Sequence, residues 1–144
     1  MNQSAVPIRA TEKPSARVLV VDDERLVADT LALILKQHGF DVRAVYSGAE
    51  AIDMAKQFRP DLLLIDVLMP EMDGIELAMR VRQLNLGAEV LLFSGYSGTT
   101  DLLDSARERG YDFEIVAKPI APPELLAKIE KLTARRQTQE SHGH

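Results

Sequence analysis

Five short apolar runs alternate along this chain with segments of helical periodicity, and strict alternation of that kind leaves few folds open. RVLVV at Arg17–Val21 is a β-branched apolar run, the pattern of a strand buried on both faces. Leu26, Leu31, Ile34 and Leu35 follow at helical spacing, and the segment closes on Gly39, a residue suited to the position just past a helix. DVRAV at Asp41–Val45 alternates as a strand, and 49–58 reads as a helix ending before Pro60. LLLID at Leu62–Asp66 is the most apolar run and the best candidate for a central strand. Helix is expected over 75–84, strand over 89–93, helix with thin apolar content over 100–109, and a last strand at Glu114–Ala117. The final helix opens at Pro122 and Pro123, where proline suits a first turn, and carries Leu125, Leu126, Ile129 and Leu132 inward. Right-handed crossovers between such strands predict an α/β fold, a five-stranded parallel sheet with helices on both faces.

At 144 residues the chain is long enough for one well-buried core and too short for two. Residues 1–16 are polar with Pro7 and Pro14 and are expected to form a flexible arm; 135–144 (RRQTQESHGH) is expected to be a disordered tail. The domain is therefore placed at 17–134. A net charge of −5 argues against a surface for nucleic acid or anionic membrane, which needs a basic excess. The absence of cysteine excludes disulfide scaffolds, thiolate zinc sites and cysteine nucleophiles, and fits a reducing compartment such as the cytoplasm. No stretch reads as a signal or a membrane span.

Ligands of parallel α/β sheets bind beyond the carboxyl ends of the strands, where the strand order reverses. Asp22-Asp23 follow the first strand, Asp66 ends the third, Ser94-Gly95 follow the fourth and Lys118-Pro119 the fifth. The second strand ends in Val45-Tyr46-Ser47 with nothing charged. In the order 2-1-3-4-5, that of flavodoxin-like (βα)5 folds, this barren strand falls at the sheet edge and Asp66 is central. Strands lie ~4.8 Å apart, so side chains from adjacent ends can converge on one ligand. Each residue also has a plain structural role open to it. Asp22, Asp23 and Glu24 could cap the first helix, Asp66 could serve a turn, Ser94-Gly95 a turn, and Lys118 could be a solvated charge. Asp73-Gly74 is assigned to a turn and helix start, with no ligand role.

Together, VVDDE at 20–24, DVLMPEMDG at 66–74, FSG at 93–95 and KP at 118–119 resemble the receiver domain of two-component response regulators across 17–134. The resemblance implies that Asp66 accepts a phosphoryl group from a histidine kinase or a histidine phosphotransfer protein. An aspartyl nucleophile forms an acyl phosphate. Asp22, Asp23 and Asp66 form an acidic cluster suited to Mg²⁺, Lys118 supplies a fixed cation, and Ser94 a hydroxyl donor. Such a domain is not a classical enzyme; it catalyses its own phosphorylation and slow dephosphorylation. The resemblance further implies a cis Lys118-Pro119 bond that aims the lysine into the pocket. It places Leu68 and Tyr96 where residues help set the lifetime of the phosphorylated form. A phosphoryl group on Asp66 would draw the Ser94 hydroxyl inward, and with it Gly95, Tyr96 and the start of the helix from Thr100. That helix has little apolar anchorage beyond Leu102, Leu103 and Ala106. The face of this helix, the last strand and the last helix is therefore expected to meet a downstream protein or a second receiver. The acidic balance argues against direct contact with nucleic acid or membrane.

The chain departs from the pattern at Ile115, where receivers commonly carry Tyr or Phe three residues before the lysine. The stretch 110–118 is one residue longer than usual, with aromatics at Tyr111 and Phe113 instead. Two other readings stand beside the switch. A receiver-like module that binds without phosphorylation would usually have lost Asp66 or Lys118. An aspartyl phosphohydrolase would carry a second Asp two residues after the nucleophile, where Leu68 stands. Neither phosphate-binding glycine motif occurs. His38 reads as a helix C-terminal residue, and His142 and His144 as tail.

Overall fold

The computed structural model describes residues 15–95 and 99–142. Ten elements alternate: β1 (Arg17–Val21), α1 (Arg25–Gln37), β2 (Asp41–Val45), α2 (Gly48–Phe58), β3 (Leu62–Asp66), α3 (Gly74–Gln83), β4 (Glu89–Ser94), α4 (Thr99–Glu108), β5 (Glu114–Ala117) and α5 (Pro122–His142). The five strands form one parallel sheet in the order β2-β1-β3-β4-β5. The sequence-derived order is thus the observed one, with β3 at the centre.

Side chains alternate across a strand, so each inner strand feeds two cores. Leu19, Val21, Leu63, Ile65 and Leu92 pack with Ala51 and Ala55 of α2, Leu77 and Ala78 of α3 and Ala106 of α4. Val18, Val20, Leu62, Leu64, Leu91 and Phe93 pack on the other face with Ala28, Ala32 and Leu35 of α1 and Leu125, Ile129 and Leu132 of α5. All five residues of β3 are buried, which follows from its position between two strands and two helical layers.

Two local details differ from the sequence reading. The buried stripe of α1 is Ala28, Ala32 and Leu35, with Leu31 and Ile34 only partly covered and Leu26 81% exposed. Small alanines let the helix sit close to the sheet, and the leucine pattern alone pointed to a different face. The last helix continues to His142, past the boundary at 134. RRQTQESH holds neither Gly nor Pro, and its Arg, Gln and Glu are good helix formers. Arg135, at the start of that extension, pairs with Glu89 at 3.3 Å and Glu114 at 3.7 Å, tying α5 to the first residues of β4 and β5. The arm expected at the N-terminus lies, except for Ser15 and Ala16, outside the described residues.

Gly74 fixes how α3 meets the end of β3. A Cβ there would lie 2.2 Å from the Asp66 carbonyl oxygen and 2.8 Å from Val67 Cα, both backbone atoms that cannot turn aside. At Gly48 the nearest obstacle is Met72 Sδ at 2.7 Å, the far part of a flexible side chain. We therefore expect Gly74→Ala to lower unfolding free energy by about 3 kcal/mol, the upper range for overpacking. Gly48→Ala should change it by less than ~1 kcal/mol, because the helix propensity of alanine offsets the shift of Met72. Denaturant titration of both variants checks this, and equal losses at the two sites would contradict it.

Candidate functional site

The parallel register brings the selected side chains together. Val21 pairs with Ile65, Asp66 with Phe93, and Ser94 with Ala117. Backbone bonds carry the alignment past the strand ends: Asp22 N–H donates to Val45 O at 3.2 Å, Val67 N–H to Phe93 O at 3.1 Å and Lys118 N–H to Ser94 O at 2.9 Å. Asp22, Asp66, Ser94 and Lys118 therefore stand in a row at one end of the sheet, with Asp23 beside them. One carboxylate oxygen each from Asp22, Asp23 and Asp66 lies within 4.8 Å of the others.

Lys118 is the cation of the group. Its Nζ donates to Asp66 Oδ1 at 3.0 Å, stands 4.0 Å from Asp22 Oδ2, and lies 4.5 Å from the centre of the Phe93 ring. The Lys118-Pro119 bond is cis. A shallow depression of about 500 Å³ opens above, lined by Asp23, Glu24, Asp66, Leu68, Gly95 and Lys118. A larger groove of about 670 Å³ runs between α3 and α4, but Arg80 there pairs with Glu76 at 2.9 Å, and Asp73 caps α3 through Glu76 N–H at 2.8 Å. Asp73 thus has the capping role read from the sequence.

The two carboxylate oxygens of Asp22 have different surroundings. Its Oδ1 accepts the Glu24 N–H at 2.9 Å, while Glu24, the residue at the helix cap, makes no capping bond with its side chain. Asp22 Oδ2 is fully buried and has no hydrogen-bond partner among the described residues. Burial without compensation pushes the Asp22 carboxyl up to about 6; the neighbouring Asp66 and Asp23 add to the rise, while the Glu24 amide and Lys118 oppose it. Asp66 is also raised, first by burial and then by Asp23 and Glu24, with the Lys118 hydrogen bond and charge holding it back. An orphaned buried oxygen within an all-oxygen donor set fits a hard divalent cation such as Mg²⁺.

Ser94 is buried, and its Oγ lies 2.8 Å from Thr99 Oγ1, the hydroxyl of the first residue of α4. Sequence reading missed Thr99, since a hydroxyl at a helix start looks like any cap. Tyr96 lies outside the described residues. Ile115 on β5 pairs with Leu92 of β4 and is partly buried. Tyr111 and Phe113 stack in the preceding loop with ring centres 6.0 Å apart, where Gln83 Nε2 donates to the Tyr111 hydroxyl at 3.1 Å. His38 caps the C-terminal end of α1, with Nδ1 2.9 Å from Ile34 O.

The raised Asp22 carboxyl has a consequence for stability. Because the folded state holds this proton more tightly than the unfolded chain, Asp22 contributes stability that is fully present below pH ~4. This contribution falls as pH rises from there through about 6, the pKa of the folded state. Asp22→Asn removes the titration, so without metal the variant should be more stable than the parent at pH 7, by on the order of 2 kcal/mol, and equal to it near pH 4. Denaturant melts across pH 4–7 test this; parallel curves for the two proteins would reject it.

Comparison with known proteins places this geometry. Residues 18–130 match the family described as Response regulator receiver domain. DNA-binding response regulator MtrA of Mycolicibacterium smegmatis is 32% identical over 123 residues, covering 85% of this chain and 53% of the relative. Response regulator MprA of Mycobacterium bovis is 33% identical over 127 residues, covering 88% and 54%. The chain thus spans about half the length of these relatives. Among solved structures, the response regulator TrrA of Thermotoga maritima in complex with Mg(2+)-BeF is 31% identical, with a TM-score of 0.71 over 81% of this chain and 98% of that one. A CheY-like receiver domain protein of Methanospirillum hungatei gives 25% identity and a TM-score of 0.78 over 87% and 98%.

Proposed function

This chain belongs to the response regulator receiver domain family, the phosphoacceptor switches of two-component systems, and we propose that its acceptor is Asp66. The observation that carries the reading is Asp66 itself: buried, at the carboxyl end of the central strand, with Lys118 Nζ 3.0 Å from Oδ1 and two further carboxylates beside it. Response regulators receive phosphate from histidine kinases. In the proposed reaction a carboxylate oxygen of Asp66 attacks phosphorus, the P–N bond to the donor imidazole breaks, and the imidazole nitrogen keeps the electron pair and takes a proton. Lys118 then bonds the phosphoryl oxygens, and Ser94 donates its hydroxyl to another. Lys118 also helps keep Asp66 ionised against its burial, which a nucleophile requires.

Receivers are generally Mg²⁺-dependent, and Asp22, Asp23 and Asp66 are the residues that would hold the ion here. Bound there, it would neutralise charge on the phosphoryl oxygens. The proposed donor is a histidine kinase or a histidine phosphotransfer protein, and the proposed output face is α4, β5 and α5, for a downstream protein or a second receiver. No helix among the described residues is long and apolar enough to cross a membrane. A cytoplasmic setting, and the absence of nucleic-acid contact by this acidic domain, are part of the same proposal. The DNA-binding role named for the mycobacterial relative belongs to a chain about twice as long.

Incubation with Mg²⁺ and acetyl phosphate should add one phosphoryl group by intact mass, and Asp66→Asn should add none. Asp23→Asn should require several-fold more Mg²⁺ for the same labelling rate. Undiminished labelling of the Asp66→Asn protein would sink the assignment.

Leu68 is 62% exposed and lines the depression above Asp66, where an apolar side chain opposes the approach of in-line water. Replacing Leu68 and Tyr96 with small polar residues should speed loss of the phosphoryl group several-fold. Unchanged decay of the labelled mass would show that water reaches the acyl phosphate by another route.

A further inference from the structure

Two buried hydroxyls join β4 to α4. Ser94 ends β4, Thr99 begins α4, both side chains are buried, and their oxygens stand 2.8 Å apart. The bond spans five residues of chain and connects the buried end of β4 to a helix anchored mainly by Ala106, Leu102 and Leu103. Each hydroxyl has one proton to donate and can accept as well, so either oxygen could be the donor in this bond.

We propose that Thr99 is the positioning residue through which α4 senses the phosphorylation of Asp66. This rests on the reading of Asp66 as acceptor and Ser94 as a donor to the phosphoryl group. An anionic phosphoryl oxygen is a stronger acceptor than a neutral hydroxyl, so it takes the Ser94 proton. Ser94 Oγ is then left as an acceptor toward Thr99, and the arrangement that satisfies both buried hydroxyls has Thr99 donating to Ser94. The result is a directed chain from Thr99 to Ser94 to phosphoryl oxygen, in which each bond polarises the next. Any movement of Ser94 toward the phosphoryl group draws the first turn of α4 with it, because a buried hydroxyl left behind without a partner is costly. Among the described residues, this hydroxyl pair links the pocket to the start of α4.

Hydrogen exchange of the full chain, with and without acetyl phosphate and Mg²⁺, tests this on the fraction shown by intact mass to be phosphorylated. On phosphorylation, amides of α4 should exchange about two- to threefold more slowly, because the existing Thr99–Ser94 bond is strengthened by the charged acceptor beyond it. Thr99→Ser should keep the effect. Thr99→Val, nearly the same in shape but without the hydroxyl, should lose it, as should Thr99→Ala. The double variant Ser94→Ala with Thr99→Val should respond like either single one, since both break the same chain. Slowing in Thr99→Val or Thr99→Ala equal to the parent's would overturn the proposal. So would loss of the effect in Thr99→Ser, or a parent that does not respond. A response retained in Ser94→Ala would overturn it through Ser94. Labelling of Asp66→Asn would instead strike the acceptor assignment, whatever the Thr99 variants do.

Discussion

Two carboxylates are held in a dry corner by backbone that will not let them separate. Asp22 and Asp66 stand level with each other, each one residue past the paired Val21 and Ile65, and the Asp22 and Val67 N–H groups are tied to Val45 O and Phe93 O of neighbouring strands. Their mutual repulsion cannot be relieved by drift of the side chains into water, since both are buried. One ammonium, that of Lys118, offsets part of the cost, and it bonds Asp66 while standing 4.0 Å from Asp22. The remaining imbalance appears as the raised Asp22 carboxyl and its orphaned Oδ2. Burying charge without full pairing costs several kcal/mol. A pocket in that condition is favourable to whatever brings positive charge, and this is how the fold creates a demand for a cation before any partner arrives.

The stability that supports this conflict comes from the apolar frame beneath it. Val18 to Val21 and Leu62 to Ile65 are fully buried, and they feed cores on both faces of the sheet. Close approach matters as much as area. Ala28 and Ala32 bring α1 down onto the sheet, and Gly74 brings α3 against the Asp66 carbonyl. The Gly74 N–H donates to Val67 O at 2.7 Å, so the turn that follows Asp66 is closed directly onto the strand that presents it. Packing thus decides where the Asp66 carboxylate points.

Much of this was legible in the sequence because parallel strands buried on both faces must be apolar throughout, and LLLI before Asp66 is unambiguous in that respect. The strand ends were legible too, since a charge after an apolar run has only one place to go in such a sheet. The face of α1 was not. Leu26 fits the helical period yet points outward, and the choice between faces depends on how near the helix approaches, which alanines settle and periodicity does not. Nor was the hydrogen bonding of Asp22. A carboxylate before a helix is a fair cap on chemistry alone, and only the observed pairing shows that Asp22 gives one oxygen to the Glu24 amide and leaves the other without a partner among the described residues. The run of α5 beyond 134 was missed because polar residues without an apolar face look like a tail, although their helix propensity is high.

The distribution of anchorage explains where such a domain can move. β3 and β4 are buried along nearly their whole length, so the pocket floor is among the stiffest parts of the molecule. α5 is held by Leu125, Leu126, Ile129 and Leu132 and by the ties of Lys128 and Arg135 to Glu114. α4 has a single fully buried apolar residue, Ala106, and its burial pattern is otherwise partial. Local stability follows such contacts, so the cost of displacing α4 is the smallest on that side of the sheet. Moving a two-state equilibrium from 1:99 to 99:1 requires about 5.5 kcal/mol of differential interaction. A few charge-assisted bonds, at roughly 1.5–3 kcal/mol each, reach that figure only if the moving part resists little. Thin anchorage of α4 is therefore a condition for a small chemical change at Asp66 to be felt at the surface, and not a weakness of the fold.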